Sequence, residues 1–446
     1  MDIREVLLFY LEFDKKVFLE YTSITRPILD FLHIIFNSLF YFFLFFGITL
    51  SALYLVMFFY SLFHKSKNEE KAFIPKNAPS VTVQIPTYNE TVAIRCAKKC
   101  LEFDYPKNKF EVILGDDSSD VSVSKRISAF ARKHSNIRVI KRGSNIGYKS
   151  GNLNNMLEYS KGEIIVIFDS DFVPEKDFLK RIVTPFIYDP NLSAVQTRWN
   201  FIDRNRSFVS LLGSTIVTVF HHICLPFISR RAGISFLCGS AEAIRKKDLI
   251  SLGKWKTGSL TEDIEFSLRL IEHGKKIEYL ESVECYGEVP YTTKDLKRQQ
   301  MRWAYGVTDS FKSHFAELLM SRKISLGKKV HTMLFCSGYA FSFILVLLFF
   351  TGTFSFFTHP PGPLDLSRFL METGFNILIT SGVIVASIFA LYKTGNLKKV
   401  FSMVFSSLSI GLIVLYYVNL GIFRVFLNKP MKWYMLKKEG NAGIDF

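Results

Sequence analysis

Four stretches of this chain carry no Asp, Glu, Lys or Arg: residues 31–63, 330–364, 373–392 and 400–423. A helix needs about 20 apolar residues to cross the hydrocarbon of a bilayer. The pattern therefore predicts about four transmembrane helices, one over 31–64 and about three over 330–425. The first stretch is too long for a signal h-region, begins about thirty residues in and lacks a small-residue cleavage site, so it reads as an uncleaved anchor. Residues 1–30 form an N-terminal segment suited to an interfacial helix, 65–78 a linker, 311–329 an interface segment and 426–446 a basic tail.

Between the apolar ends the periodicity changes. Residues 80–86 read as a buried strand, followed by the loop Thr87-Tyr88-Asn89-Glu90 and a helical run. Residues 110–115 form a second strand that ends on Asp116-Asp117-Ser118-Ser119-Asp120, and 163–168 a third that ends on Asp169-Ser170-Asp171. Apolar strands alternating with helical segments imply a mostly parallel α/β sheet. In such sheets ligands bind at the carboxyl ends of the strands, where both acidic loops fall. Residues 264–273 have helical periodicity, with Thr261 as N-cap and Glu262 and Asp263 beside the positive end of the dipole. Residues 207–228 place Phe208, Leu211, Leu212, Val219, Phe220 and Ile223 among Ser, Thr and His, the pattern of an interfacial amphipathic helix. His221 and His222 then belong to an interface and not to a metal.

Composition sharpens the division. With 49% hydrophobic residues and 45 Phe among 446, the chain is too apolar for an ordinary soluble enzyme, yet residues 66–329 are too charged for a membrane. Lys65, Lys67, Lys71 and Lys76 follow the first span closely, which by the positive-inside rule puts the central domain in the cytoplasm, with a small margin over Lys15, Lys16 and Arg26. At the other end, Lys393, Lys398 and Lys399 precede the last span while Lys429, Lys432, Lys437 and Lys438 follow it, so the side of the C-terminus stays open. Six cysteines show neither zinc-like pairing nor the density of a disulfide scaffold; Cys96 and Cys100, at helical spacing, read as core. The net charge of +16 suits lipid headgroups and anionic diphosphates, and no nucleic-acid motif accompanies it.

The chemistry-bearing residues come in order along the central domain. An acid cluster at a strand end can be a cap or turn, and Asp116-Asp117 alone would allow that. Asp169 and Asp171, one residue apart and leaving an apolar strand, present oxygens to a hard divalent cation of the kind that bridges a diphosphate. Gln299-Gln300-Met301-Arg302-Trp303 lies at the edge of the second apolar region. Its Arg can make bidentate bonds to diphosphate oxygens and its indole offers a plane for a pyranose, although a lone Arg-Trp pair also suits a membrane interface.

Taken together these motifs resemble the processive family 2 glycosyltransferases, which include cellulose, chitin, mannan and hyaluronan synthases. The resemblance covers roughly residues 79–310 and implies an α/β GT-A-like (Rossmann-like) cytosolic domain joined to an α-helical transmembrane region. It implies that Thr87, Tyr88, Glu90, Asp116, Asp117, Lys149, Asp169, Gln299 and Arg302 bind a nucleotide sugar, with Asp116 and Asp117 at the nucleoside. Asp169 and Asp171 would hold Mg²⁺ or Mn²⁺. Asp263 would be the general base of an inverting transfer, and Cys238, Glu262 and Trp303 would face the acceptor. Residues 235–240 resemble the Phe-x-Cys-Gly-Ser stretch of bacterial cellulose synthases, whereas 81–90, 165–178 and 195–201 look closer to plant mannan and xyloglucan-backbone synthases. These likenesses favour different donors, UDP-glucose and GDP-mannose. The function implied is extension, and translocation, of a β-linked polysaccharide by an integral protein of the plasma membrane in contact with its lipid. The alternative is single transfer to a membrane lipid, as in ceramide glucosyltransferases. Four spans are fewer than in many such synthases, which leaves room for a homo-oligomer or an added helix from 1–30.

Overall fold

The structure is a computed structural model that describes residues 3–64, 78–359, 366–436, 438 and 440. The expected linker, with Lys65, Lys67, Lys71 and Lys76, lies outside the described residues. A long helix α1 (Ile3–Phe63) is followed by β1 (Val81–Thr87), α2 (Ala93–Leu101), β2 (Phe110–Asp116), α3 (Val121–Ala131), β3 (Ile137–Ile140), α4 (Tyr148–Tyr159), β4 (Ile164–Ile167), α5 (Phe178–Tyr188) and β5 (Leu192–Ile202). Then come α6 (Phe208–Val219), a π-turn at Phe220–Cys224, α7 (Leu225–Ala232), β6 (Glu242–Arg245), α8 (Lys246–Ser251), α9 (Glu262–Glu272), β7 (Lys276–Glu288) and α10 (Thr293–Met320). The remaining helices are α11 (Leu326–Cys336), α12 (Ala340–Thr358), α13 (Leu366–Ile379), α14 (Gly382–Lys393) and α15 (Val400–Phe426).

Among the described residues the strands form one sheet in the order β3-β2-β1-β4-β6-β5-β7. Strands β3, β2, β1 and β4 are parallel, β6 is antiparallel to both its neighbours, and β7 runs parallel to β5. All strands but β6 therefore point the same way, and their carboxyl ends share one edge. Every residue of β1 is buried, as expected of a parallel strand covered on both faces. Alternation then splits the core. Val112, Leu114 and Val166 face one layer with Ala93, Cys96, Ala97 and Cys100 of α2, while Ile113, Ile165 and Ile167 face the other with Leu153 of α4 and Phe266 of α9. Cys96 and Cys100 are core residues, as their spacing predicts.

The chain divides into two compact units, Met1–Leu55 with Ala340–Val383, and Val56–Tyr339 with Ile384–Phe446. In the first, Phe36 stacks on Phe354 at 5.0 Å, and the Gly382 amide donates to Ser51 Oγ at 2.8 Å. The sheet, α10, α15 and everything described of the C-terminal tail belong to the second.

Among the described residues four helical stretches are long and apolar enough to cross a membrane: Thr25–Phe63, Phe208–Ala232, Ala340–Thr358 and Leu397–Phe426. Three departures from the sequence expectations stand out. Residues 373–392 do not form one straight helix but belong to a pair, Leu370–Ile379 and Gly382–Lys393, bent by 60°. The stretch expected to lie amphipathically at an interface is instead mostly buried: its Ser and Thr residues face inward, and Ser214 and Thr215 both donate back to the Leu211 carbonyl. Side-chain hydroxyls satisfied within a helix mimic a polar face in sequence. Finally, α10 runs on through the expected boundary at 310, and α1 joins the expected 1–30 segment to the first span in one helix with Pro27 inside it.

Candidate active site

The cleft opens at the carboxyl edge of the sheet, where β4 releases Asp169-Ser170-Asp171. Lys149 comes from the first turn of α4, whose N-cap Gly147 adopts the left-handed conformation (φ 71°) that glycine tolerates. Its ammonium lies 2.7 Å from Asp169 Oδ1 and 3.4 Å from Glu262 Oε1, and donates to the Gly239 carbonyl. Burial works against the charge on Lys149, but Asp169 and Glu262 outweigh it and hold the ammonium above its ordinary pKa. Asp169 responds in the opposite sense: burial opposes its ionisation, yet Lys149 and a second lysine, Lys438, keep its carboxyl below the ordinary range.

Asp263 sits in the first turn of α9. Thr261 occupies the N-cap position, but its hydroxyl makes no capping bond. Its side chain instead faces α10, where a Cβ on Gly306 would meet Thr261 Cγ2 at 2.5 Å and Oγ1 at 2.6 Å. The lack of a side chain at 306 is what lets α10 approach this closely. That approach delivers Gln299, Arg302 and Trp303 to the cleft, with Arg302 Nη1 donating to the Leu260 carbonyl at 3.1 Å. Burial, then the neighbouring Glu262, pushes Asp263 up to about 7, with Lys149 and Arg302 pulling the other way.

The predicted site residues fall into two groups. Glu90, Lys149, Asp169, Asp171 and Cys238 line one cleft, together with Glu262, Asp263, Gln299, Arg302 and Trp303. Thr87, Tyr88, Asp116 and Asp117 lie beside that lining, at the ends of β1 and β2. Here the protein's own donors occupy the carboxylates. Asp116 accepts from Ser118 N at 3.1 Å and from Ser124 Oγ, and Asp117 is held by Arg142 through Nε at 2.9 Å and Nη2 at 2.6 Å. Arg142 also binds the carbonyls of Ile146 and Tyr148, so Asp117 shapes the loop leading to Lys149. His221, expected at an interface, is buried and stacks on Trp199 at 5.2 Å.

The basic tail, read from its lysines alone, was not expected at the cleft. Beyond α15 the chain returns to the catalytic edge, where Trp433 stacks on Tyr148 at 5.8 Å and meets Tyr88 edge-on at 6.4 Å. Lys438 Nζ lies 2.8 Å from Asp171 Oδ1, 2.9 Å from Ser170 Oγ and 3.4 Å from Glu90 Oε2. The described part of the C-terminal tail is therefore on the same side as the catalytic edge, which residue counting left open. Glu288 was also missed. Its amide donates to Asp171 Oδ2 at 2.9 Å, and its carboxylate accepts from Arg95 and from the Gly440 amide. Trp199, whose indole donates to the Ser240 carbonyl at 2.9 Å, lines the cleft within the 195–201 segment singled out above.

Among the described residues no group of three or more His, Cys, Asp or Glu side chains is arranged to hold a metal. Asp169 and Asp171 nevertheless fit a hard divalent cation that takes one or two carboxylates from protein and the rest of its oxygens from phosphates and water. Asp171 already carries a cationic partner, the Lys438 ammonium.

An α/β domain with one antiparallel strand, acidic loops on its carboxyl edge and apolar helices beside it defines the GT-A-like class of fold. The family described as "Glycosyltransferase like family 2" matches residues 78–306, more than half of the chain, and the chain belongs to that family. It is 28% identical over 291 residues to the probable glucomannan 4-beta-mannosyltransferase 1 of Arabidopsis thaliana, covering 64% of this chain and 52% of that protein. Against the probable glucomannan 4-beta-mannosyltransferase 3 of the same plant it is 31% identical over 291 residues, covering 63% and 51%. The chain thus spans about half the length of these curated relatives. A mannosyltransferase from Pyrobaculum calidifontis, solved in complex with GDP-Man and Mn²⁺, shares the fold with a TM-score of 0.54 at 20% identity, over 82% of this chain and 99% of that one.

Proposed function

We propose that this protein is an inverting, divalent-metal-dependent membrane glycosyltransferase that extends a β-linked polysaccharide from a nucleotide hexose, GDP-mannose before UDP-glucose. The observation that carries this is the convergence in one cleft of a carboxyl with a raised pKa, Asp263, a two-carboxylate loop, Asp169 and Asp171, and the Arg302-Trp303 pair. The named activity of the plant relatives and the GDP-Man in the archaeal neighbour favour mannose.

In this mechanism Asp263 takes the proton from the acceptor hydroxyl as that oxygen attacks the anomeric carbon from the face opposite the leaving group. Asp169 and Asp171 would hold Mg²⁺ or Mn²⁺, which would offset charge developing on the departing nucleotide diphosphate. Lys149 and Arg302 add positive charge around the same phosphates. Trp303 and Trp199 offer apolar planes to sugar rings of the acceptor. Apolar helices beside the sheet hold the domain at the membrane and give the product a route across it.

The test is product analysis with the purified full chain in lipid nanodiscs, supplied with Mn²⁺ and radiolabelled GDP-mannose or UDP-glucose. A polymer on a sizing gel supports the synthase. A one-sugar product that extracts into organic solvent would replace it with a lipid transferase. Trp303→Ala should lower polymer output much more than donor hydrolysis, because water needs no stacking platform.

A further inference from the structure

Another carboxylate lies behind the proposed base. Glu242 opens β6, the antiparallel strand between β4 and β5, and is 1% exposed. Strands disfavour Glu, and a buried carboxylate is costly unless its oxygens are satisfied. Here one of them is met by two main-chain donors: Oε2 accepts from the Gly239 amide at 2.8 Å and from the Cys238 amide at 3.2 Å. Gln196, one strand away, supplies Oε1 to the same Cys238 amide at 2.7 Å.

The turn held in this way touches the cleft machinery at four points. The Gly239 carbonyl takes Lys149, Ser240 Oγ accepts the Asp169 amide at 2.9 Å, and the Ser240 carbonyl takes the Trp199 indole. At Gly239 (φ 86°) the backbone passes so close to the base that a Cβ would lie 3.1 Å from Asp263 Oδ2 and 3.2 Å from Lys149 Nζ. The turn is therefore a wall against which the base carboxyl rests.

We infer that Glu242 is a positioning residue for the transfer: by accepting the Cys238 and Gly239 amides it fixes the turn that sets where Asp263 Oδ2 points. The inference rests on Asp263 being the base. Glu242 is not among the residues that line the cleft and acts through the turn alone. Its own carboxyl is pushed up to about 8, first by burial and then by Asp263, which agrees with its place behind the base.

Three variants of the full chain in nanodiscs test this, assayed with GDP-mannose and Mn²⁺. Glu242→Ala leaves the buried Gly239 amide without its acceptor and the Cys238 amide with Gln196 alone, and kcat should fall about 100-fold while KM for GDP-mannose stays within about fivefold, because the lost interaction serves the transition state. Glu242→Gln keeps an oxygen acceptor at the same reach and should return kcat to within about fivefold of the parent. Gly239→Ala, which pushes a methyl group at Asp263 Oδ2 without altering Glu242, should reproduce the fall in kcat and covers the case in which Glu242→Ala fails to fold. The inference is overturned if Glu242→Ala keeps parental kcat, if KM rises as much as kcat falls, or if Gln rescues no better than Ala. Absence of transfer by the parent protein would overturn the glycosyltransferase assignment itself, whereas an active parent, a dead Asp263→Asn and an unaffected Glu242→Ala would remove only the role of Glu242.

Discussion

At the residue scale the cleft is a set of opposed charges, and their balance sets the protonation of Asp263, the proposed base. Asp263 is raised to about 7 because burial and Glu262 outweigh Lys149 and Arg302. A base acts only when ionised, so kcat/KM should rise about tenfold per pH unit up to an apparent value near 7 and level off above it. A profile flat from pH 5 to 8 would remove Asp263 from that role. Asp263→Asn should lower kcat by about a thousandfold with donor affinity within a few fold, as measured by single-turnover transfer and equilibrium binding. Asp171→Asn removes one of the two carboxylates offered to the cation, and GDP binding in the presence of Mn²⁺ should weaken while metal-free GDP binding stays the same. These acids were legible in the sequence because Asp169 and Asp171 leave an apolar strand, Asp263 opens a helical run, and the three fall in order. Glu242 was not, since a lone Glu at the start of a four-residue strand has no spacing to mark it and its importance comes from amides that only the fold brings to it.

At the element scale, α9 and α10 must keep Asp263 opposite Arg302, and a buried ionic staple further along does this. His314 of α10 lies 3.2 Å from Glu265 Oε1 and 2.9 Å from Glu272 Oε1, both on α9, and Arg269 also binds Glu265. Burial alone would lower the His314 pKa, but the two carboxylates raise it to about 9. A folded-state pKa above the unfolded value stabilises fully below about 6.5, and the contribution is lost as pH rises through about 9. His314→Gln should therefore cost about 2 kcal/mol at pH 6 and much less at pH 10. Equal losses in Tm at both values would show that the histidine is not charged in the fold. The positions of β1, β2 and β4 and the helix after Thr261 were readable from apolar runs and periodicity. The antiparallel β6 was hidden, because a strand of four residues carries no direction in its sequence, and the buried α6 was misjudged because inward hydroxyls resemble a wetted face.

At the scale of the whole molecule, the catalytic edge is completed by residues from opposite ends of the described chain. Lys438 reaches Asp171, Ser170 and Glu90 at the position where a divalent cation would need the same carboxylate. Burial opposes its charge, yet Asp171 and Glu90 hold the ammonium well above its usual range, so it stays protonated at any pH the protein meets. An ammonium and a dication cannot share Asp171 Oδ1 without strong repulsion. If Asp171 holds the proposed metal, Lys438 would have to leave for it to bind, and Mn²⁺ affinity would be reduced by the fraction of molecules in which it is docked. Lys438→Gln should thus tighten Mn²⁺ binding by about five- to tenfold, measured by the electron paramagnetic resonance signal of free Mn²⁺ in titrations of the full chain. Tyr148, on which Trp433 stacks, offers a second readout, since indole fluorescence should change as Mn²⁺ displaces the tail. If the variant instead bound Mn²⁺ normally and GDP-mannose more weakly, Lys438 would be a ligand of the donor phosphates, and the tail would close over the bound substrate and not compete with its metal.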